Sequence, residues 1–173
     1  MFSDPVKNLS RFGIQYGMKI ADLGCGSGHY SLAAAPLVGA AGAVYAVDVQ
    51  KELLSRLKSE AESKKISNIE VIWGDIEEPG GSMIANEGVD KVILSNVLFQ
   101  AEDKSGVVKE VKRILKAVGE ALVVDWSDAP GALGPKNHVV PVAEAESLFE
   151  SVGLRFVRDF SAGDHHYGFI VRK

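Results

Sequence analysis

The chain has 173 residues, 46% apolar and 24% charged, enough to bury a core of its own with the balance of a globular protein. A net charge of −4 without a basic stripe argues against nucleic acid as a partner, and Cys25, the only cysteine, leaves no internal disulfide or cysteine-built metal site. No apolar run is long enough to cross a bilayer and no signal-peptide pattern opens the chain, so a cytoplasmic protein without a membrane span is expected.

Asp4-Pro5 predicts a short N-terminal helix over residues 2–12, with Asp4 as N-cap and Phe2, Leu9 and Phe12 as its apolar edge. A first strand over residues 19–23 then runs into a glycine-rich turn. Tyr30, Leu32, Ala33, Ala34, Leu37 and Val38 predict one face of a helix. A second strand over 43–47 closes at Asp48. Residues 50–65 form the clearest amphipathic helix, with Leu53, Leu54, Leu57 and Ala61 on one face and charge opposite. A third strand covers 69–73 and ends in Gly74-Asp75. Residues 76–86 read as a loop, and 89–95 as the fourth strand. A helix is predicted over 104–117, closed by Gly119, with a fifth strand over 120–125. Residues 126–141 are Gly- and Pro-rich and read as a loop. A helix over 142–152 stops at Gly153. Segments 154–160 and 167–172 flank a turn and read as a terminal β-hairpin.

Strand–helix alternation implies a mainly parallel sheet with helices on both faces, and the closing hairpin makes the last strand antiparallel. No repeat or linker divides the chain, so one domain is expected: an N-terminal cap over residues 1–17 and a core over 18–173.

In such a sheet ligands bind beyond the carboxyl ends of the strands. The first strand ends in Asp22-Leu23-Gly24-Cys25-Gly26-Ser27-Gly28, where three glycines at alternate positions let a ligand approach the backbone. A dinucleotide loop would place Gly or Ala at position 29, which is His29. The D-x-G-x-G-x-G pattern instead resembles motif I of class I S-adenosylmethionine-dependent methyltransferases. With Leu94-Ser95-Asn96-Val97-Leu98 and Arg113-Ile114-Leu115-Lys116, the chain is most similar to the ubiquinone and menaquinone C-methyltransferase-like group. Arsenite methyltransferases share that core but need several cysteines, against the one present here. The resemblance implies a three-layer, doubly wound α/β fold. Its sheet is seven-stranded and mostly parallel, in the order 3-2-1-4-5-7-6, with strand 7 antiparallel.

It also implies S-adenosyl-L-methionine as cofactor and S-adenosyl-L-homocysteine as product. Its motif I residues here are Asp22, Gly24, Cys25, Gly26 and Gly28. Asp48 has two oxygens suited to the hydroxyls of a ribose; the alternative is a loop or N-cap aspartate. In the resembled family an aspartate at the place of Asp75 contacts the adenine amino group, and Val49 and Ile76 flank the ring; Asp75 as a plain turn residue is the alternative. Asn96 would lie beside the methionine part, acting largely through its carbonyl. Phe99, Gln100, Trp126, His138 and Tyr167 are candidate acceptor-pocket residues. His165, His166 and Asp125 are candidate bases, His and carboxylate being able to take a proton near neutral pH. On a continuous strand His165 and Tyr167 would face one way and His166 the other. No ligand spacing supports a metal site.

Additions at the carboxyl edge are small. That fits a small-molecule acceptor, with a pocket completed by a second copy of the chain as a homodimer; a protein or RNA acceptor and a non-catalytic S-adenosylmethionine-binding module are the alternatives. A nucleotide-dependent oxidoreductase is disfavoured by His29 and the hairpin.

Overall fold

A computed structural model describes residues 3–128 and 139–173. The elements run α1 (Pro5–Ser10), β1 (Lys19–Leu23), α2 (His29–Val38), β2 (Ala43–Asp48), α3 (Lys51–Ser63), β3 (Ile69–Trp73) and β4 (Val89–Ser95), then α4 (Lys104–Ile114), β5 (Leu115–Trp126), α5 (Val142–Ser151), β6 (Arg155–Ser161) and β7 (His166–Arg172). The seven strands form one sheet in the order β3-β2-β1-β4-β5-β7-β6, the order the resemblance implied. β1 to β5 are parallel to one another, and β7 is antiparallel to both β5 and β6.

The sheet carries an apolar layer on each face because side chains alternate along each strand. On one face Val107, Val111 and Ile114 of α4 and Phe149 of α5 pack against Leu23, Val92, Leu94 and Val123. On the other, Leu9 and Phe12 near α1 and Ala34 and Val38 of α2 pack against Ile20, Ile93, Leu122 and Ile170. Asp4 caps α1 as expected, its carboxylate accepting from the Lys7 N–H, with Pro5 opening the helix.

Three expectations need correction. α4 ends at Ile114 instead of running to 117. Leu115 is fully buried and pairs with Val89, so the chain passes directly from helix into β5. The register then jumps from Val89–Leu115 to Lys91–Glu120. Residues 116–119 stand against the single residue Asp90, three more than on β4, a bulge that leaves Val118 exposed. Leu37 of α2 is exposed, and Ala35 is buried in its place. His165 has φ 63 and lies in the hairpin turn before β7, so strand alternation does not govern its side chain.

The loop after β3 is held by α4. Glu110, 2% exposed, accepts from the backbone N–H groups of Gly80 and Ser82, both at 3.1 Å, from the Ser82 hydroxyl and from Arg113. Burial alone would raise the Glu110 pKa, but these donors outweigh it and hold the carboxyl below its ordinary value. Glu110→Ala leaves them unpaired, so urea unfolding is expected to show a loss of roughly 2–4 kcal/mol; the partial exposure of Arg113 keeps this below a fully buried pair. A loss under about 0.5 kcal/mol would show that this clamp does not hold the loop.

Candidate active site

The carboxyl ends of β1, β2, β3 and β4 meet around the glycine turn, which separates two recesses. One, of about 180 Å³, is lined by Gly24, Asp48, Val49, Asp75, Ile76 and Gln100 among others. The second, of about 370 Å³, is lined by Ser3, Cys25, Ser27, Tyr30, Ser95 and Asn96 among others. Gly24 lines the smaller recess against Val97, and a Cβ there would lie 2.6 Å from Val97 Cγ2. Gly28 has φ 79, and a Cβ on it would strike Leu57 of α3.

Asp48 ties the turn to β2. One carboxylate oxygen accepts from the Gly26 N–H at 2.8 Å and the other from the Gln50 N–H at 2.9 Å. The Gly24 and Cys25 N–H groups both donate to the Val47 carbonyl. Each oxygen of Asp48 keeps a second lone pair, and the side chain lines the smaller recess. Asp75 is exposed at the same recess, its carboxylate accepting from the Glu77 N–H at 3.0 Å. Val49 is 54% exposed and Ile76 is buried, so the two present apolar surface at different depths.

Asp22 lines neither recess. It is 2% exposed and turned beneath the turn, accepting from the Ser31 hydroxyl at 2.6 Å in the first turn of α2. Asp125 is likewise buried. Its oxygens accept from the Leu98 N–H and the Trp126 N–H, both at 2.8 Å. The N–H groups of Phe99 and Val97 add to that hold, so Asp125 clamps the turn after β4 and does not face the recesses.

Asn96 adopts the left-handed conformation, φ 58. Its N–H donates to the Val124 carbonyl, and its own carbonyl accepts from the Gln100 side chain at 2.9 Å. Its Oδ1 is buried without a hydrogen-bond partner. Phe99 is half-buried and outside both linings.

At the far strands, the half-buried Trp126 packs its ring 4.3 Å from that of His166. Tyr167 is on the opposite face, stacked on Phe169, with its hydroxyl buried and unpartnered. His165 is exposed and pairs with Asp128 at 2.7 Å. His138 lies outside the described residues. Among the described residues no group of three or more His, Cys, Asp or Glu is arranged to hold a metal ion.

Sequence reasoning missed the N-terminal contribution. Asn8, 1% exposed, donates to Tyr30 Oη at 2.8 Å and to the Ala162 carbonyl, and Ser3 joins Tyr30 at 2.9 Å. These contacts bring Ser3 to the larger recess. No local pattern marks them, because the partners are far apart in the chain. Ser31 was also missed, although a hydroxyl in the first turn after the glycines was its available signal.

A family model described as "Methyltransferase domain" matches residues 14–152. The chain belongs to this methyltransferase family. A solved structure, a SAM dependent methyltransferase from Aquifex aeolicus, superposes with a TM-score of 0.88 at 25% identity, covering 99% of this chain and 90% of that one. Among curated relatives, an arsenite methyltransferase of Aquipseudomonas alcaligenes is 34% identical over 113 residues, 63% of this chain and 33% of that protein. A demethylmenaquinone methyltransferase of a Geobacillus species is 27% identical over 122 residues, 69% of this chain and 50% of that protein. The chain thus spans a third to a half of the length of these two relatives.

The cleft concentrates acidic groups. Burial, with Asp48 nearby, raises Asp22 to about 6 despite the hydrogen bonds from Ser31. Burial raises Asp125 to about 6 as well. Burial, followed by the charges of Asp22 and Asp48, pushes the Cys25 thiol well above its ordinary range, so it is protonated at neutral pH. A wider groove of about 730 Å³ lies around Lys109, Lys112, Arg113 and Lys173. Most of its cations are engaged: Lys112 with the Val152 carbonyl, Arg113 with Glu110, and Lys173 with Glu87.

The Asp22 shift has a defined sign. Its folded pKa lies above its unfolded value near 4, so ionisation opposes folding above about pH 6 and costs nothing below about pH 4. Relative to Asp22→Asn, the wild type is expected to gain roughly 2–3 kcal/mol of stability as pH falls from about 8 to about 4. Denaturant titrations across that range check this, and parallel curves for the two proteins would contradict it.

Proposed function

We propose that this protein transfers a methyl group from S-adenosyl-L-methionine to a small-molecule acceptor, releasing S-adenosyl-L-homocysteine. The observation that carries the reading is Asp48, at the lip of the smaller recess, with both oxygens held by backbone N–H groups and lone pairs to spare. Those lone pairs suit the two hydroxyls of a ribose. Val49 and Ile76 then flank the adenine, with Asp75 near its amino group. Gly24, Cys25, Gly26 and Gly28 bring backbone close to the methionine part. Asn96 Oδ1, buried and unpartnered, is an acceptor suited to the methionine ammonium. Asp22 and Asp125 act at one remove, fixing the start of α2 and the turn after β4.

S-adenosyl-L-methionine supplies a methyl group already activated by a sulfonium. The chain therefore has to position the acceptor and exclude water. The absence of Lys and Arg from the described linings of both recesses suits a cationic sulfur centre and is opposite to what a phosphate needs. The two curated relatives are named for small acceptors, arsenite and demethylmenaquinone, which supports the same class here. The single cysteine disfavours arsenite chemistry. The reading includes a cytoplasmic location and a homodimer whose second copy deepens the open cleft. Among the described residues no helix is long and apolar enough to cross a membrane.

Calorimetry is expected to show binding of S-adenosyl-L-methionine and S-adenosyl-L-homocysteine but not NAD. Asp48→Ala should weaken the sulfur ligands by about 1–3 kcal/mol through loss of charged hydrogen bonds. Binding of NAD with neither sulfur ligand would overturn the reading, and an unchanged affinity in Asp48→Ala would remove the ribose role.

A further inference from the structure

His166 is 7% exposed, and its Nε2 is buried without a hydrogen-bond partner. Its Nδ1 lies 3.0 Å from the Asp164 carbonyl oxygen. A carbonyl only accepts, so Nδ1 carries the proton and Nε2 presents a lone pair. Burial holds the ring pKa below its ordinary value, with the neighbouring His165 acting in the same direction, so the imidazole is neutral at pH 7. A buried acceptor left unpaired is a cost to the fold that a ligand donor would remove.

Strand alternation places this atom. Ile170 and Leu122 belong to the apolar layer under α2, as does Ile93. His166, Trp126 and Ser95 stand two or four residues along their strands from these, on the same face and at the same edge. Trp126 pairs with His166 across β5 and β7, and Ser95 with Val124 across β4 and β5. Ser95 and Asn96 line the larger recess, whose described lining contains no Lys, Arg, Asp or Glu. With Asn96 Oδ1 given to the methionine ammonium, His166 Nε2 is the unpaired acceptor left on this face among the described residues.

Resting on the methyl-transfer reading, we propose that this recess continues past Trp126 to His166 in the acceptor complex. It there takes an uncharged small molecule whose hydroxyl or amine donates to Nε2. As the acceptor oxygen or nitrogen forms its bond to the methyl carbon, the carbon–sulfur bond breaks and its electrons stay on sulfur. The acceptor proton passes to His166 Nε2, leaving a methyl ether or methylamine, a neutral thioether and an imidazolium. Carboxylates and phosphates are poor acceptors because no described cation meets them.

The test uses the full chain loaded with S-adenosyl-L-homocysteine and three probes of similar size: catechol, 1,2-dimethoxybenzene and benzoate. Ligand-observed NMR is expected to show catechol binding at least about tenfold more tightly than the other two, since a site built around an acceptor rejects analogues lacking a donor. His166→Ala should abolish that preference while the S-adenosyl-L-homocysteine affinity stays within about twofold, because the ring it removes, with its contacts to Trp126 and the Asp164 carbonyl, lies outside the lining of the smaller recess. In the wild type, long-range ¹H–¹⁵N spectra at pH 7 should show His166 as the Nδ1–H tautomer, with its Nε2 resonance moving on catechol addition. Equal binding of benzoate or dimethoxybenzene, no binding of any probe, an unmoved Nε2 resonance, or an intact preference in His166→Ala would each overturn this proposal. Failure to bind S-adenosyl-L-homocysteine would overturn the methyl-transfer reading itself, and this proposal with it.

Discussion

The hydrogen bond from the Gly26 N–H to the Asp48 carboxylate is the contact on which the cleft depends. A parallel sheet pairs its strands along their length but leaves the loops beyond their carboxyl ends without ladder partners. Something must fix those loops to one another if a site is to exist there. Asp48 does so at the join of β1 and β2, holding the glycine turn with one oxygen and the entry to α3 with the other. With the turn fixed, Gly24 meets Val97 and Gly28 meets Leu57, so the two recesses take their shape from one anchored loop.

The same device recurs at neighbouring strand ends. Asp22 holds Ser31 at the start of α2, Asp75 holds the Glu77 N–H after β3, and Asp125 holds the turn after β4. A carboxylate suits the task because it accepts several hydrogen bonds at once and reaches backbone that the ladder leaves unpaired. The arrangement costs stability, since burial raises Asp22 and Asp125 well above ordinary carboxylates. It also leaves a negative field at one edge of the sheet. A cationic sulfonium is favoured in such a field, whereas a phosphate is repelled.

Much of the cleft was legible because its parts are local in sequence. The glycine spacing, Asp48 at the end of an apolar strand and Gly74-Asp75 after the next are short patterns whose position follows from strand–helix alternation. The role of each aspartate was less legible. Asp22 and Asp125 look like site residues in the sequence, and only the packing shows their oxygens spent on Ser31 and on the turn after β4. Likewise the alternation argument separates His166 from Tyr167 correctly, yet it misplaces His165, because β7 begins only at His166 and His165 takes a left-handed turn conformation before it.

By itself the sequence determined the alternating α/β order, the terminal reversal of the sheet and the place of the glycine turn. Periodicity and turn chemistry are local, and the connection rules leave little freedom once the elements are known. Tertiary structure alone decided three things. It ended α4 at Ile114, because Leu115 gains more from burial beside Val89 than from another helical turn. It brought Ser3 and Asn8 to Tyr30 and Ala162, contacts between segments up to 154 residues apart. It also left Asn96 Oδ1 and His166 Nε2 buried without partners. Whether a polar atom is paired depends on every group that packs around it, and no local stretch of sequence contains that information.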